Sequence, residues 1–393
     1  MQNRVESLLC VYESSIKMVE GKTTLLVPKL SIESSIPPKM PAFYNPQAKL
    51  NRDLSIFIYK AIAKKLSGHV RMADSLAGVG ARGVRVAVEA PEISEVFMND
   101  LNPVAVDYAR ASAKMNGVYD RCSFSVMDAC HFLIEHSSPG DRFEIVDVDP
   151  FGSPAPYLDC VVRAVRDGGM VSVTATDTAV LCGVYPKVSA RKYFGYSLNT
   201  EYCHEIGIRL LLGALAHLAM RLDIGIHPLF SHSTRHYIRI YANISSGASY
   251  ADETRDSLGY ILHCFNCFNR KTSSLIEKNC DECGGIFRFA GPLWIKGIHN
   301  GDFLSYLLKN IDLTKECEKI VRNSLDEVDM PPTYYIPDKI ADRLQLSIPK
   351  LNDIMSVIRD KGYKATRSAI NSKGIKTDAP SSVIIEIIKG LNR

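Results

Sequence analysis

Residues 70–89 read VRMADSLAGVGARGVRVAVE, and this stretch decides the fold. Its apolar start predicts a strand, and its last nine residues have the periodicity of a helix. Between them lies a G-x-G-x-x-G motif, formed by Gly78, Gly80 and Gly83. Glycines at such a turn let the backbone approach a ligand closely at the N-terminus of a helix. The stretch therefore predicts a β-α unit with a nucleotide site, and makes Gly78 and Gly80 candidate cofactor-binding residues.

Strand and helix signals continue to alternate after this unit. Further strands are predicted at residues 96–98, 122–127, 143–148 and 170–174, and helices at 104–115 and 201–222. This alternation is typical of β-α-β units with a parallel sheet. Two strand-like runs, 224–229 and 236–244, then follow each other without room for a helix, so the sheet is expected to end in an antiparallel hairpin. We therefore predict an α/β, Rossmann-like methyltransferase domain that uses S-adenosylmethionine, since the sheets of dehydrogenases continue parallel.

Acidic residues at the ends of the first three strands are candidates for contacts with the cofactor. Asp100 follows the second strand, where a carboxylate can accept both hydroxyl protons of a ribose, in NAD or in S-adenosylmethionine. The alternative for Asp100 is a cap on the turn at Asn102-Pro103. Asp74 ends the first strand and favours S-adenosylmethionine, whose positively charged amino group a carboxylate would stabilise. Asp128 and Ala129 follow the third strand. They fit a contact with the adenine amino group and a ring nitrogen, and they fit equally well the cap of a helix.

The segment after the fourth strand is the candidate catalytic site. It reads Asp149-Pro150-Phe151 and resembles the Asp/Asn-Pro-Pro-aromatic signature of methyltransferases that act on exocyclic amines of bases. Such an amine is a poor nucleophile, because its lone pair is delocalised into the ring. The Asp149 carboxylate and the Pro150 carbonyl can accept its two protons, while the Phe151 ring stacks on the base. The alternative is a tight Pro-containing turn without chemistry.

Two Cys-x-x-Cys pairs, separated by twelve residues, predict a metal site. They are formed by Cys264 and Cys267, and by Cys280 and Cys283. Four thiolates suit a tetrahedral Zn²⁺ ion and leave no open position for water, so the zinc is expected to be structural; an iron centre is a minor alternative. The other seven cysteines show no ligand spacing and are expected in cores as reduced thiols, without a disulfide framework.

Composition and charge narrow the class of protein and its partners. The 393 residues are 46% hydrophobic and 23% charged, which excludes disordered, collagen-like and fibrous classes. The net charge of +4 is concentrated in residues 331–393, which contain 11 Lys and Arg against 6 Asp and Glu. This segment predicts a basic, winged-helix-like module that binds a polyanion, or alternatively a solvated surface. The residues taken as its phosphate contacts are Lys364, Arg367, Lys373 and Lys376.

The sequence also predicts where the protein acts. Its most apolar stretch, 206–222, is interrupted by Arg209, His217 and Arg221, so no membrane span is expected. Charged residues near the N-terminus replace the apolar stretch of a secretory signal. We therefore expect a cytoplasmic protein, without an obligate protein partner.

Motifs distributed over the chain resemble the tRNA (guanine-26) N2-dimethyltransferases, in their compact archaeal form. They include Asn51-Arg52-Asp53, the 78–85 loop, Asn99-Asp100, residues 149–154, Thr174-Ala175-Thr176-Asp177, Leu181-Cys182-Gly183, Gly291-Pro292-Leu293-Trp294 and Gly374-Ile375-Lys376-Thr377. The resemblance implies an S-adenosylmethionine donor and Asp149 as the catalytic carboxylate. The residues that it implies for the donor are Arg52, Arg82, Asp100, Asp128 and Ala129.

The resemblance also implies a C-terminal domain that helps to hold tRNA. We accordingly expect two domains: a methyltransferase domain with an N-terminal β extension over 1–246, and an α+β tRNA-binding domain over 247–393, with the zinc knuckles at 264–283. The predicted function is dimethylation of N2 of guanine 26 in tRNA. Two alternatives stay open from the residues: an adenine-N6 methyltransferase on nucleic acid, and a non-catalytic zinc-dependent RNA-binding protein. A dehydrogenase is the weakest option, because residues 149–151 have no role in hydride transfer.

Overall fold

The structure is a computed structural model that describes residues 15–33 and 42–392. These residues form two compact units. The first contains the described residues up to Pro150, together with Pro156–Val173 and Tyr306–Glu318, and the second contains Phe151–Ala155, Thr174–Ser305 and the residues from Lys319 onward. The functional boundary predicted at residue 247 stays a prediction.

The strands and helices alternate through most of the chain. The described strands are β1 (Ser15–Glu20), β2 (Thr23–Pro28), β3 (Arg71–Asp74), β4 (Glu95–Asn99), β5 (Cys122–Ser125), β6 (Phe143–Val148), β7 (Val165–Ala175), β8 (Ile224–Thr234), β9 (Tyr237–Ser246), β10 (Leu258–His263), β11 (Arg270–Ser273), β12 (Arg288–Trp294), β13 (Ala365–Arg367) and β14 (Ile375–Thr377). The described α-helices are α1 (Leu30–Glu33), α2 (Lys49–Leu66), α3 (Ala81–Glu89), α4 (Pro103–Met115), α5 (Ala129–Glu135), α6 (Leu158–Ala164), α7 (Thr178–Leu181), α8 (Pro186–Tyr193), α9 (Cys203–Met220), α10 (Ala248–Arg255), α11 (Gly301–Asn310), α12 (Lys315–Leu325), α13 (Pro337–Leu344), α14 (Leu351–Asp360) and α15 (Ser381–Gly390).

The main sheet confirms the predicted fold class. It has seven strands in the order β5-β4-β3-β6-β7-β9-β8. The pairs among β3 to β7 are parallel, whereas β8 and β9 pair antiparallel. Every residue of β6 is buried, as expected for a strand covered on both faces. The register aligns Asp74 of β3 with Asp147 of β6, and thus places two carboxylates side by side at the carboxyl end of the sheet.

The first unit also contains an N-terminal hairpin, which corresponds to the predicted β extension. Strands β1 and β2 pair from Ser15 and Pro28 to Glu20 and Thr23. The N–H of Leu26 donates to Ser112 Oγ of α4 over 2.9 Å, which attaches the hairpin to a helix of the sheet layer.

The second unit contains two elements of the C-terminal region. One is an antiparallel sheet in the order β11-β10-β12, which the sequence did not predict. The other is the basic segment, where α13 and α14 are followed by the antiparallel pair β13–β14 and by α15. Isoleucines from these elements form its core: Ile340, Ile354, Ile358, Ile375 and Ile384. The sequence predicts helices at 340–344 and 348–359 and a strand pair at 364–370 and 375–377, and these elements lie close to those positions.

Among the described residues, one helix, α9, has the length and apolar composition to cross a membrane. However, 78% of that span is buried inside the protein. Its apolar side chains therefore pack against protein.

Candidate active site

Two glycines of the turn between β3 and α3 have different structural roles. Gly80, the N-cap of α3, has φ +73°, and a Cβ there would lie 2.5 Å from Ala109 Cβ of α4. Gly78 has φ +53°, and a Cβ there would meet nothing closer than a carbonyl oxygen at 4.0 Å. Glycine at position 80 therefore lets two helices pack closely, whereas the space beside Gly78 leaves the backbone open to a ligand.

Asp100 lies at the carboxyl end of β4, beside this turn. Its Oδ2 accepts the N–H of Gly78 over 2.8 Å, and its Oδ1 accepts the N–H of Asn102 over 2.9 Å. The carboxylate thus caps a turn and is held in a fixed orientation. Each carboxylate oxygen can accept more than one hydrogen bond, so this arrangement leaves acceptor capacity for ribose hydroxyls.

Asp128 and Ala129 start helix α5. Asp128 Oδ1 accepts the N–H of His131 over 3.1 Å, which is the helix-capping role. The Asp128 residue is exposed, and Ala129 is the first residue of the helix. Capping uses Oδ1, so Oδ2 and the N–H of Ala129 are the groups that an adenine ring would engage.

A buried cluster of carboxylates surrounds Arg82 of α3. Arg82 Nε lies 2.9 Å from Asp147 Oδ2, and Arg82 also forms an ion pair with Asp149. Asp74 is 2% exposed and accepts the N–H of Gly83 over 3.0 Å. Arg82 was predicted to bind the cofactor. In the structure it pairs with Asp149, the candidate catalytic carboxylate, and its predicted contact with the cofactor stays a prediction.

The pKa of Asp74 reflects this cluster. Burial, which disfavours the charged form, is the largest effect; with Asp147 and Asp149 nearby it raises the pKa to about 8, although Arg82 acts in the opposite direction. Asp147 and Asp149 are two further carboxylates close to Asp74. A positively charged group would be stabilised there, which fits the charge of S-adenosylmethionine.

Arg52 lies on α2 and contacts β1. Its Nε and Nη2 bind the two carboxylate oxygens of Glu20 over 2.8 and 2.5 Å, and Nη2 also donates to the carbonyl of Asn45 over 2.9 Å. Arg52 is 6% exposed. These contacts hold the N-terminal hairpin, and the predicted contact between Arg52 and the cofactor stays a prediction.

The Asp149-Pro150-Phe151 segment follows directly on β6. The side chain of Asp149 is 26% exposed, and Phe151 is 84% exposed. An exposed large aromatic ring at the end of a central strand is available to stack on a planar base. The segment therefore presents a carboxylate and an aromatic ring next to each other in the chain.

The two residues after Phe151 are held firmly within the second unit. The N–H of Gly152 donates to Thr176 Oγ1 over 2.7 Å, and the N–H of Thr176 donates back to the Gly152 carbonyl over 2.9 Å. Ser153 Oγ lies 2.8 Å from the hydroxyl of Tyr193, which donates to Asp177 Oδ1 over 2.6 Å. Sequence reasoning missed Tyr193, a fully buried residue of α8 that has no motif of its own.

The four predicted metal-ligating cysteines come together in the second unit. Their sulfur atoms lie within 4.8 Å of one another, with 3.5 Å between Cys264 and Cys283 and 3.6 Å between Cys267 and Cys280. Sulfurs bound to one tetrahedral zinc at about 2.3 Å lie about 3.8 Å apart, so the geometry fits such an ion. The N–H of the Asn269 amide also points to Cys280 Sγ at 3.5 Å, as expected around thiolates.

The predicted phosphate contacts divide into two groups. Lys364, Arg367 and Lys373 are exposed. Lys376 is 2% exposed, and its Nζ lies 3.0 Å from Glu205 and 3.7 Å from Glu327. A buried ammonium group engaged by two carboxylates cannot reach a phosphate, so the structure contradicts the predicted role of Lys376.

One cysteine pair differs from the expectation of reduced thiols. Cys130 of α5 and Cys160 of α6 form a disulfide, with 5.4 Å between their Cα atoms. The two residues are 30 positions apart. Their proximity comes from helix packing, which spacing along the chain does not reveal.

Comparisons with known proteins agree on one family. A family model described as N2,N2-dimethylguanosine tRNA methyltransferase matches residues 21–389. A tRNA (guanine(26)-N(2))-dimethyltransferase of Methanothermobacter thermautotrophicus is 36% identical over 384 residues, which is 96% of this chain and 99% of that protein. A tRNA (guanine(26)-N(2)/guanine(27)-N(2))-dimethyltransferase of Aquifex aeolicus is 34% identical, over 83% of this chain and 85% of its own length.

A solved structure extends this likeness to three dimensions. The complex of Trm1 from Pyrococcus horikoshii with S-adenosyl-L-methionine matches with a TM-score of 0.83 and 30% identity, over 95% of this chain and 99% of that one. Sequence, fold and site geometry thus point the same way, and the chain belongs to the N2,N2-dimethylguanosine tRNA methyltransferase family.

Proposed function

We propose that this protein transfers two methyl groups to N2 of guanine 26 in tRNA, with S-adenosylmethionine as the donor. The observation that carries the proposal is the segment after β6, where Asp149 pairs with Arg82 and Phe151 is exposed. Family membership and the names of the relatives support the tRNA substrate and the position of the base.

The donor would be held at the carboxyl end of the parallel strands. We assign the Gly78–Gly80 turn and Asp100 to its ribose side, Asp128 and Ala129 to its adenine, and Asp74 to its charged end. S-adenosylmethionine supplies a methyl group activated by a positively charged sulfur. Arg52 and Arg82 would act on this site by maintaining its shape, because both are engaged with carboxylates.

Asp149 is the proposed catalytic residue. Its carboxylate accepts a hydrogen bond from the N2 amine and draws the lone pair out of conjugation, while Arg82 fixes its orientation. The Pro150 carbonyl accepts the second amine proton, and the Phe151 ring holds the base plane. Each methyl transfer leaves one proton fewer on the nitrogen, and the Asp149 carboxylate is the group proposed to take that proton. The second transfer must therefore use a monomethylated amine that has only one proton left to donate.

We assign the remaining features to tRNA binding and stability. The Cys264, Cys267, Cys280 and Cys283 quartet is proposed to hold a structural Zn²⁺ ion. The exposed Lys364, Arg367 and Lys373 are proposed to contact tRNA phosphates. The proposed location is the cytoplasm, and the reaction requires neither a membrane nor an obligate protein partner.

The test uses tRNA transcripts and mass spectrometry of their nucleosides. We expect dimethylguanosine at position 26, and none when that guanine is replaced by adenine. Product absent from the guanine transcript would contradict the proposed function, and methyladenosine in the adenine transcript would indicate an adenine-N6 enzyme.

Single-turnover rates test the role of Asp149. Loss of one preorganised electrostatic contact costs about 100- to 1000-fold in rate, so we expect that reduction for Asp149→Ala, with unchanged binding of donor and tRNA. Asp149→Asn should be intermediate, because its carbonyl can still accept a hydrogen bond. The control is Asp256→Asn, an exposed aspartate. A near wild-type rate for Asp149→Ala would show that this residue is not the catalytic carboxylate.

A further inference from the structure

Three potential metal ligands outside the cysteine quartet lie close together in the second unit. Cys182 follows directly on helix α7, and Cys203 and His204 are the first two residues of α9. One ligand atom from each of the three lies within 4.8 Å of the others. All three residues are half-buried, and both cysteines are free thiols. Twenty residues separate Cys182 from Cys203, so no spacing in the sequence indicates this group.

The distances fit a shared tetrahedral ion. Cys182 Sγ lies 3.7 Å from His204 Nδ1. A sulfur at about 2.3 Å and a nitrogen at about 2.0 Å from one tetrahedral zinc lie about 3.5 Å apart. The sulfur pairs of the quartet, at 3.5 and 3.6 Å, differ from the expected sulfur–sulfur distance of about 3.8 Å by a similar amount. The Cys182–His204 pair is therefore as close to ligand geometry as the sulfur pairs of the quartet are.

The donor set selects a class of ion. Two thiolates and an imidazole prefer thiophilic cations such as Zn²⁺ over Mg²⁺ or Ca²⁺, which take oxygen ligands. Ser233 Oγ of β8 lies 3.1 Å from His204 Nδ1, within hydrogen-bond distance. Three protein ligands leave a fourth position for water or another small ligand, whereas the quartet is closed.

We propose that Cys182, Cys203 and His204 form a second metal site, for one Zn²⁺ ion with an exchangeable fourth ligand. Binding replaces the two thiol protons, which pass to solvent, and joins the end of α7 to the start of α9. Helix α7 begins immediately after Asp177, which accepts the Tyr193 hydrogen bond. An ion at this site would therefore brace the segment that holds the loop after Phe151. The proposal does not depend on the identity of the RNA substrate.

Metal stoichiometry provides the first test. Wild-type protein is incubated in reductant with excess Zn²⁺, desalted, and analysed for zinc by mass spectrometry. We expect two ions per chain in the wild type, one in Cys182→Ser and in His204→Ala, and two in the control Cys122→Ser, a free, half-buried cysteine outside both groups. One ion in the wild type, or two in Cys182→Ser, would overturn the proposal.

Thiol labelling of the wild type avoids any failure of the variants to fold. Protein that carries one equivalent of Zn²⁺ is alkylated with and without a second equivalent, and the labelled peptides are quantified. We expect the second equivalent to slow labelling of Cys182 and Cys203 at least tenfold, while the rate at Cys122 stays constant. Unchanged labelling of Cys182 and Cys203 would overturn the proposal, as would a disulfide between them in protein kept in reductant.

Discussion

The carboxyl group of Asp74 makes the free energy of unfolding depend on pH. Burial first, and then the nearby Asp147 and Asp149, raise its pKa to about 8. The folded protein then binds this proton more tightly than the unfolded chain, whose pKa is near 3.8. The free energy of unfolding should therefore fall as pH rises from about 4 to about 8, at up to about 1.4 kcal/mol per pH unit.

The test compares the wild type with Asp74→Asn by urea unfolding at pH 6 and pH 8. The amide keeps an acceptor for the N–H of Gly83 and resembles the protonated acid, so the variant should lose less stability than the wild type between the two pH values. The control is Asp107→Asn on α4. Parallel pH profiles for the wild type and Asp74→Asn would contradict the raised pKa.

Lys373 and Lys376 form a matched pair that separates binding from stability. Lys376→Met leaves Glu205 and Glu327 buried without this cation, and removal of one partner of a buried ion pair costs about 3 to 5 kcal/mol. The side chain of Lys373 is 71% exposed, so Lys373→Met should leave stability nearly unchanged. Urea unfolding of both variants checks this; equal losses would show that Lys376 is not buried in solution.

The sequence could predict individual residues where strand order alone determines their place. Asp100 and Asp149 directly follow β4 and β6, so the parallel sheet brings them to one edge. The sequence could not predict that Lys376 is buried, because its partner Glu205 lies 171 residues away along the chain. The contact between Arg52 and Glu20 depends likewise on how β1 packs.

At the scale of elements, helix α8 fixes the loop after Phe151 through one hydroxyl group. Tyr193→Phe keeps the ring but removes the hydrogen bonds to Ser153 and Asp177. We expect the rate of methyl transfer to fall roughly tenfold to a hundredfold, since small misplacements near the reacting atoms have such effects. The dissociation constants for S-adenosylmethionine and tRNA should stay unchanged.

A spectroscopic measurement distinguishes this positioning role from general destabilisation. 2-Aminopurine at position 26 of the tRNA carries its amino group at the same ring carbon as guanine, and its fluorescence is quenched by stacking. Stacking on Phe151 should be weaker in Tyr193→Phe, so the bound base should fluoresce more. Tyr250→Phe on α10 is the control. Quenching equal to that of the wild type would show that Tyr193 does not position the loop.

Elements with regular hydrophobic periodicity were predictable, whereas strand β11, which lacks it, was not. The bounds of α3 agree with the prediction, because a glycine turn starts it and its apolar positions recur with helical spacing. Strand β11 reads Arg-Lys-Thr-Ser and has no apolar alternation. It forms because β10 offers pairing partners along its edge, a tertiary contact that a local pattern does not contain.

At the scale of the whole molecule, the cysteine quartet and the proposed cofactor-binding residues belong to different units. The quartet lies in the second unit, whereas Asp74, Asp100 and Asp128 lie in the first. We expect Cys280→Ser, or treatment with a chelator, to lower the melting temperature while the dissociation constant for S-adenosylmethionine stays within about twofold. Hydrogen exchange should rise mainly in β10, β11 and β12. A parallel loss of donor binding would contradict this separation.

The basic C-terminal segment predicts that the affinity for tRNA depends on the salt concentration. Each phosphate contact that a protein makes releases counterions, so log affinity falls with log salt, with a slope of about −0.7 to −0.9 per contact. Replacement of Lys364, Arg367 and Lys373 by alanine should lower the magnitude of the slope for tRNA by up to about 2 to 3, if each touches one phosphate.

The control removes three exposed lysines of the N-terminal region, Lys17, Lys22 and Lys29, and so changes the net charge equally. Net charge acts over long range on any polyanion, whereas direct contacts change the slope only where they are made. Equal reductions in the two triple variants would therefore mean that the C-terminal residues act only through the net charge of the protein. An unchanged slope in the C-terminal triple variant would mean that these residues form a solvated surface.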